Sequence, residues 1–227
     1  MIVTYLRAGG MNPPPDREEL TIENDGSFRL WRSVGWATYP PTAIGLFAGK
    51  LEPDTLNELK LETAAANKVG KIKRIPMPGS AVEEINTGKA KAEILDYVEL
   101  EAGWKELVER LRQMLHDLTA SPRAAIELHH LTDKNELELV HLGTTALKLD
   151  LSELVIKARH MDKKTYSTIA EWQFDQNMGK ITAEPGWSLK LPFKPDFTLN
   201  PDSEVLVFAT FTIFDGNKRV PVSIQAV

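Results

Sequence analysis

Among five histidines, three fall where they could act together. His129, His130 and His141 lie on neighbouring strands of an expected hairpin. With a turn at Lys134-Asn135, His130 and His141 share one face with Ile126, Leu128, Leu137 and Leu139. A diagonal pair of imidazoles could supply two ligands to a metal, with Asp133, Glu138 or His160 as a third. The same pair also reads as two imidazoles hydrogen-bonded at a sheet margin. No spacing demands a metal, so no cofactor is expected.

Other groups that could do chemistry are poorly arranged. Glu83 and Glu84 are adjacent, so a strand would point them to opposite faces and deny them a shared acid/base role. Glu99 and Glu101, with Asp96 nearby, read as a solvated acidic rim. Gly45-Leu46-Phe47-Ala48-Gly49-Lys50-Leu51 superficially resembles a phosphate loop. It has three residues between the glycines where four are needed, and Leu51 where a magnesium-binding Ser or Thr belongs. It is read as a turn entering the helix at Pro53, in a long loop whose other reading includes a short strand at Ile44 to Phe47. The chain has no Gly-x-Ser-x-Gly, His-Glu-x-x-His or Gly-x-Gly-x-x-Gly. No enzyme class is therefore indicated. The segment with Trp36, Tyr39, Pro40, Pro41, Ile44 and Phe47 is the candidate for recognition of another protein, because aromatics and prolines give contact area at low entropic cost. The other reading is that these residues cover one end of a core.

Composition narrows the partners. The chain has 227 residues, 27 Lys/Arg against 32 Asp/Glu, and a net charge of -5. The part before Pro122 and the part after it are both mildly acidic, which argues against a nucleic-acid surface. The basic cluster Lys68, Lys71, Lys73 and Arg74 lacks interleaved aromatics and reads as a protected strand edge. With no cysteine, disulfides, thiolate catalysis and Cys-type zinc sites are excluded. With no signal-peptide pattern and no apolar run of spanning length, the expectation is a cytoplasmic protein with no membrane partner.

The elements that must position these residues divide near Ser121-Pro122. Before it, residues 1–121 read as an α+β domain of antiparallel strands with two helices. Asp25-Gly26 marks a hairpin between Leu20–Ile22 and Phe28–Trp31. Pro53 opens the first helix. Trp104, Leu107, Val108, Leu111, Met114, Leu115 and Leu118 set the apolar stripe of the second. After it, residues 122–227 carry only strand patterns, including separate strands at Ala146–Leu149 and Leu154–Arg159. This spacing predicts an all-β, immunoglobulin-like sandwich. Trp172 in a mid-domain strand and the corner Leu199–Val205 resemble fibronectin- or immunoglobulin-type domains. Val205 stands where the corner tyrosine would be, and no disulfide is possible.

Tyr5-Leu6-Arg7-Ala8-Gly9-Gly10, then a hairpin, then Lys50-Leu51-Glu52-Pro53-Asp54-Thr55-Leu56-Asn57-Glu58-Leu59 resembles the emfourin-like family over roughly residues 1–120. Those domains start with a strand ending in Arg-Ser-Gly-Gly-Phe, from which Ala8 and Met11 depart. Emfourin inhibits a thermolysin-like metalloprotease. The resemblance implies a non-catalytic domain that occludes a protease cleft; no inhibitory residue carries over by position. Together these readings give a non-enzymatic protein-binding module, possible partners including a protease. The alternatives are an enzyme with a dispersed inter-domain site and a structural or assembly subunit.

Overall fold

The computed structural model describes residues 1–9, 16–33, 43–73, 82–95, 100–131, 134, 136–162, 165–173, 178–193 and 205–226. The chain is mostly antiparallel β-sheet, with two α-helices among the described residues. It forms two compact units. One comprises Met1–Arg32 and Leu46–Pro122, the other Ser33–Gly45 and Arg123–Val227.

The first unit contains β1 (Val3–Gly9), β2 (Asp16–Ile22), β3 (Ser27–Arg32), the larger part of β4 (Ile44–Lys50), α1 (Pro53–Val69), β5 (Ile72–Lys73), β6 (Val82–Asn86), β7 (Lys91–Leu95) and α2 (Trp104–Asp117). Its strands lie in the order β4-β3-β2-β1-β6-β7-β5. β1, β2, β3, β6 and β7 pair antiparallel, and β5 runs parallel to its neighbour β7. The Asp25-Gly26 hairpin forms as expected. Gly26 adopts a φ of 86°, and the Asp25 carboxylate accepts hydrogen bonds from the Ser27 amide and hydroxyl. Strand alternation sends Val3, Tyr5, Leu20, Ile22, Leu30 and Ile85 into the core.

α2 buries Trp104, Leu107, Val108, Leu111, Met114 and Leu115, the stripe read from its periodicity. Each such side chain contributes about 1.5–3 kcal/mol on full burial. The Gly103 amide donates to the Glu106 carboxylate at its N-terminus. The helix is tied to α1 at both ends of the contact. Trp104 Nε1–H donates to the Gly70 carbonyl at 2.9 Å, and Arg110 reaches both Glu58 and Glu62.

The glycine-lysine segment that superficially resembles a phosphate loop lies in strand β4: the short strand at Ile44 to Phe47 forms and runs on to Lys50, where the first expectation is a turn. Its glycines allow close approach. A Cβ on Gly45 would meet the Ala124 carbonyl oxygen at 2.4 Å, and one on Gly49 the Phe28 ring at 2.9 Å. α1 runs through Lys68 of the basic cluster to Val69 and closes at Gly70 with φ 90°.

The second unit contains β8 (Pro122–Leu131), β9 (Glu136–Gly143), β10 (Leu147–Asp162), β11 (Thr165–Gln173), β12 (Lys180–Ala183), β13 (Ser188–Pro192), β14 (Val205–Asp215) and β15 (Lys218–Gln225). β8, β9 and β13 are neighbours in one sheet, in the order β13-β9-β8. The other runs β11-β10-β14-β15, with β12 on the first part of β10. The two strands expected at Ala146–Leu149 and Leu154–Arg159 are one strand, β10, with a register shift between Asp150 and Val155. Asp150 accepts from the Ser152 amide and hydroxyl there, a local turn that lets the strand bulge and continue. Phe193 touches the edge of His130 and of Trp172, each at 5.1 Å between centroids, and so links residues of the two sheets. The corner at Leu199–Glu204 lies outside the described residues.

Candidate functional site

A row of alternating charge crosses the first unit's sheet. Register places Arg32 of β3 opposite Glu18 of β2, Glu18 opposite Arg7 of β1, and Arg7 opposite Glu83 of β6. Opposed residues share a face, so all four lie on the core side. Arg32, Glu18 and Glu83 are almost fully buried. Arg32 Nε sits 2.8 Å from the Glu18 carboxylate. Arg7 lies between the acids, 3.7 Å from Glu18 and 4.0 Å from Glu83. Arg112 of α2 completes the row, with Nε 3.0 and 3.2 Å from the two Glu83 oxygens.

Burial pulls the Arg32 guanidinium down from its usual range, and Glu18 opposes that pull. Tyr5, two residues before Arg7 on the same face, has a buried hydroxyl with no hydrogen-bond partner. Desolvation pushes its phenol far up, reinforced by Glu83 and partly offset by Arg7 and Arg112. Tyr5 therefore stays protonated, and both glutamates are held by arginines. The row holds opposite charges in contact across the sheet.

The four strand members each lie within two residues of a strand end: Arg7 before Gly9, Glu18 after Asp16, Arg32 at the end of β3, Glu83 second in β6. The segments 10–15, 34–42 and 74–81 leave from those ends. A signal for this row was present in the sequence. Val3-x-Tyr5-x-Arg7, Glu18-x-Leu20-x-Ile22, Phe28-x-Leu30-x-Arg32 and Glu83-x-Ile85 each put a charge in phase with buried residues.

The residues singled out for recognition fall into two groups. Trp36, Tyr39, Pro40 and Pro41 lie outside the described residues. Phe47 is a correction: on β4 its side chain is fully buried, so it is a core residue and offers a partner no surface. The ends of segment 34–42 are fixed in the second unit. Ser33 is buried and its carbonyl accepts from the Ser223 amide at 3.3 Å; Ala43 and Ile44 are buried on the other side.

The histidine pair is not brought together. β8 and β9 do pair, and His130, His141, Ile126, Leu128, Leu137 and Leu139 do share a face. The register sets His130 opposite Leu137 and Ile126 opposite His141. The connection spans 132–135, because Leu131 pairs with Glu136. The two histidines are then four residues apart along the strand direction, about 13 Å at ~3.3 Å per residue, too far to share an ion. A slip of two residues leaves every side chain on its own face, so alternation could not detect it. Among the described residues no group of three His, Asp or Glu could hold a metal. Asp96, Glu99 and Asp133 lie outside the described residues.

His141 is 3% exposed and neither ring nitrogen has a hydrogen-bond partner. Burial holds its pKa below the ordinary histidine value, as it does for His130, and the Thr145 backbone and Glu184 only partly oppose this at His141. The folded state therefore resists a proton that the unfolded chain accepts near pH 6.5. Stability from these neutral imidazoles is present above that pH and is lost as pH falls towards their folded-state values. His141→Leu should flatten the loss of stability between pH 7 and pH 5, read by urea denaturation at each pH. An unchanged pH slope would show that His141 is protonated without penalty.

No helix among the described residues is long and apolar enough to cross a membrane. No protein-family model, curated protein or solved structure matches the chain.

Proposed function

We propose that this chain is a non-enzymatic protein-binding protein, and that its contact surface is built on residues 34–42 with Trp36, Tyr39, Pro40 and Pro41. One observation supports this most directly. The segment is rooted at both ends in fully buried residues, Arg32 and Ser33 before it and Ala43 and Ile44 after it. A recognition loop on fixed roots loses less entropy on binding than one on loose roots. Binding residues concentrate on loops carried by rigid sheets for the same reason.

The same reading includes an immunoglobulin-like sandwich for residues 122–227, an α+β domain for residues 1–121, and residence in the cytoplasm. In its narrower form the partner is a protease of the thermolysin type, following the emfourin-like resemblance of residues 1–120.

The experiment is a comparison of the wild-type chain with Trp36→Ala/Tyr39→Ala. Wild type should bind its protein partner in a surface-immobilised assay, and the variant should bind at least ~30-fold more weakly, the loss of about 2 kcal/mol that one aromatic hot spot carries. Equal binding by the two proteins would remove segment 34–42 from the interface. Titration against thermolysin-like proteases tests the narrower form: residual activity should fall stoichiometrically, and full activity at high molar excess excludes inhibition of those enzymes.

A further inference from the structure

One face of the second unit gathers three cations, Lys148, Lys180 and Arg219, around a single carboxylate, Asp150, whose charge is favoured by both Arg219 and Lys180. Across β10 and β12, Lys148 lies opposite Thr182 and Asp150 opposite Lys180. Asp150 also faces Thr212 of β14, and Phe214 two residues on faces Arg219 of β15. Lys148, Lys180, Arg219 and Phe214 therefore share one face with Asp150. Asp150 is nearly buried. Its carboxylate is taken up by the Ser152 amide and hydroxyl and by Arg219 at 3.4 Å. Neither exposed lysine has a carboxylate within ion-pair distance among the described residues. Lys180 instead places its ammonium 5.8 Å from the centre of the Phe214 ring. Lys148, Lys180 and Phe214 border a cleft of about 270 Å³, lined also by Thr182, Gly216 and Asn217.

We propose that this cleft binds a small phosphate ester, with the phosphate held between Lys148 and Lys180 and the organic group resting on Phe214. Two ammonium groups outside ion-pair contact with any described carboxylate suit a doubly charged oxyanion better than a single carboxylate. The Thr182 hydroxyl and Asn217 amide supply neutral hydrogen bonds to its oxygens. The volume lies just below the ~300 Å³ at which drug-sized pockets begin, so it fits one ring and one phosphate. This site is independent of segment 34–42 and of any protein partner.

The test is an amide NMR titration of the full chain with inorganic phosphate and with phenyl phosphate, following Thr182, Gly216 and Asn217. Both probes should give saturable shifts, with phenyl phosphate binding at least ~5-fold more tightly because its ring adds apolar contact. Lys148→Ala/Lys180→Ala should abolish saturation for both probes. Both lysines are exposed, so this variant should keep the native spectrum; Lys148→Gln/Lys180→Gln replaces it should that spectrum collapse. Lys190→Ala, on β13, should bind like wild type. Shifts that stay linear, saturation that survives loss of both lysines, or equal affinity for the two probes would each overturn the proposal.

Discussion

Glu18→Ala should destabilise the first unit by about 3–5 kcal/mol, the cost of leaving a buried charge without its counter-charge. Arg32 is fully buried, with Nε 2.8 Å from the Glu18 carboxylate, and burial already works against its charge. Removing Glu18 keeps the desolvation cost and deletes the attraction that offset it. Glu83→Ala should cost less, although Glu83 is equally buried. Its partners Arg7 and Arg112 are 32% and 39% exposed and can turn to water. The double variant Glu18→Leu/Arg32→Met should recover most of the lost stability, since a buried pair can be exchanged for apolar groups of similar size at little cost. Urea denaturation followed by tryptophan fluorescence measures all three, with Trp31 and Trp104 buried in this unit. A loss below ~1 kcal/mol in Glu18→Ala would show that Arg32 finds enough compensation elsewhere.

Gly45→Ala should cost about 3 kcal/mol or more. Gly45 holds a φ of 122°, which strains any side chain by about 1–3 kcal/mol. The new methyl would also stand 2.4 Å from the Ala124 carbonyl oxygen and 2.8 Å from Ala125 Cα. Both obstacles are backbone, so no rotamer change relieves them. Gly88 is the control. It too has a positive φ, 79°, but a Cβ there would meet nothing within 4 Å. Gly88→Ala should therefore show only the conformational penalty, about 1–2 kcal/mol. Comparable losses from the two variants, read as shifts in denaturation midpoint, would mean that β4 and β8 can separate to admit a methyl group.

Gly45 also shows which parts of the fold could be read in advance. Local patterns were sufficient where the cause is local. Asp25-Gly26 folds as its turn chemistry dictates, and α2 buries the stripe its spacing sets out. Gly45 and Gly49 looked like loop residues, because what requires them is a neighbour distant in sequence, Ala124 or Phe28. The break expected within β10 has a related cause: Asp150 and Ser152 form a turn-like contact, yet β14 pairs on both sides of it and keeps the strand whole. The charged row is not local in sequence: its members are scattered along the chain and meet only once β1, β2, β3 and β6 pair. The histidine pair failed on register, which alternation leaves undetermined in steps of two.

The long strand β10 has a consequence for the order in which this protein can be made. Its central residues, Val155 to His160, pair on one edge with Val205 to Thr210 of β14. β14 in turn pairs with β15, which ends near the C-terminus. A ribosome releases β10 well before it has synthesised β14, so the emerging chain carries an apolar strand with one edge open for that interval. Ile156 and Ala158, buried in the finished protein, are then accessible to any other open strand nearby. Neighbouring nascent chains on one messenger compete with β14 for that edge, and slow elongation between the two strands prolongs the competition.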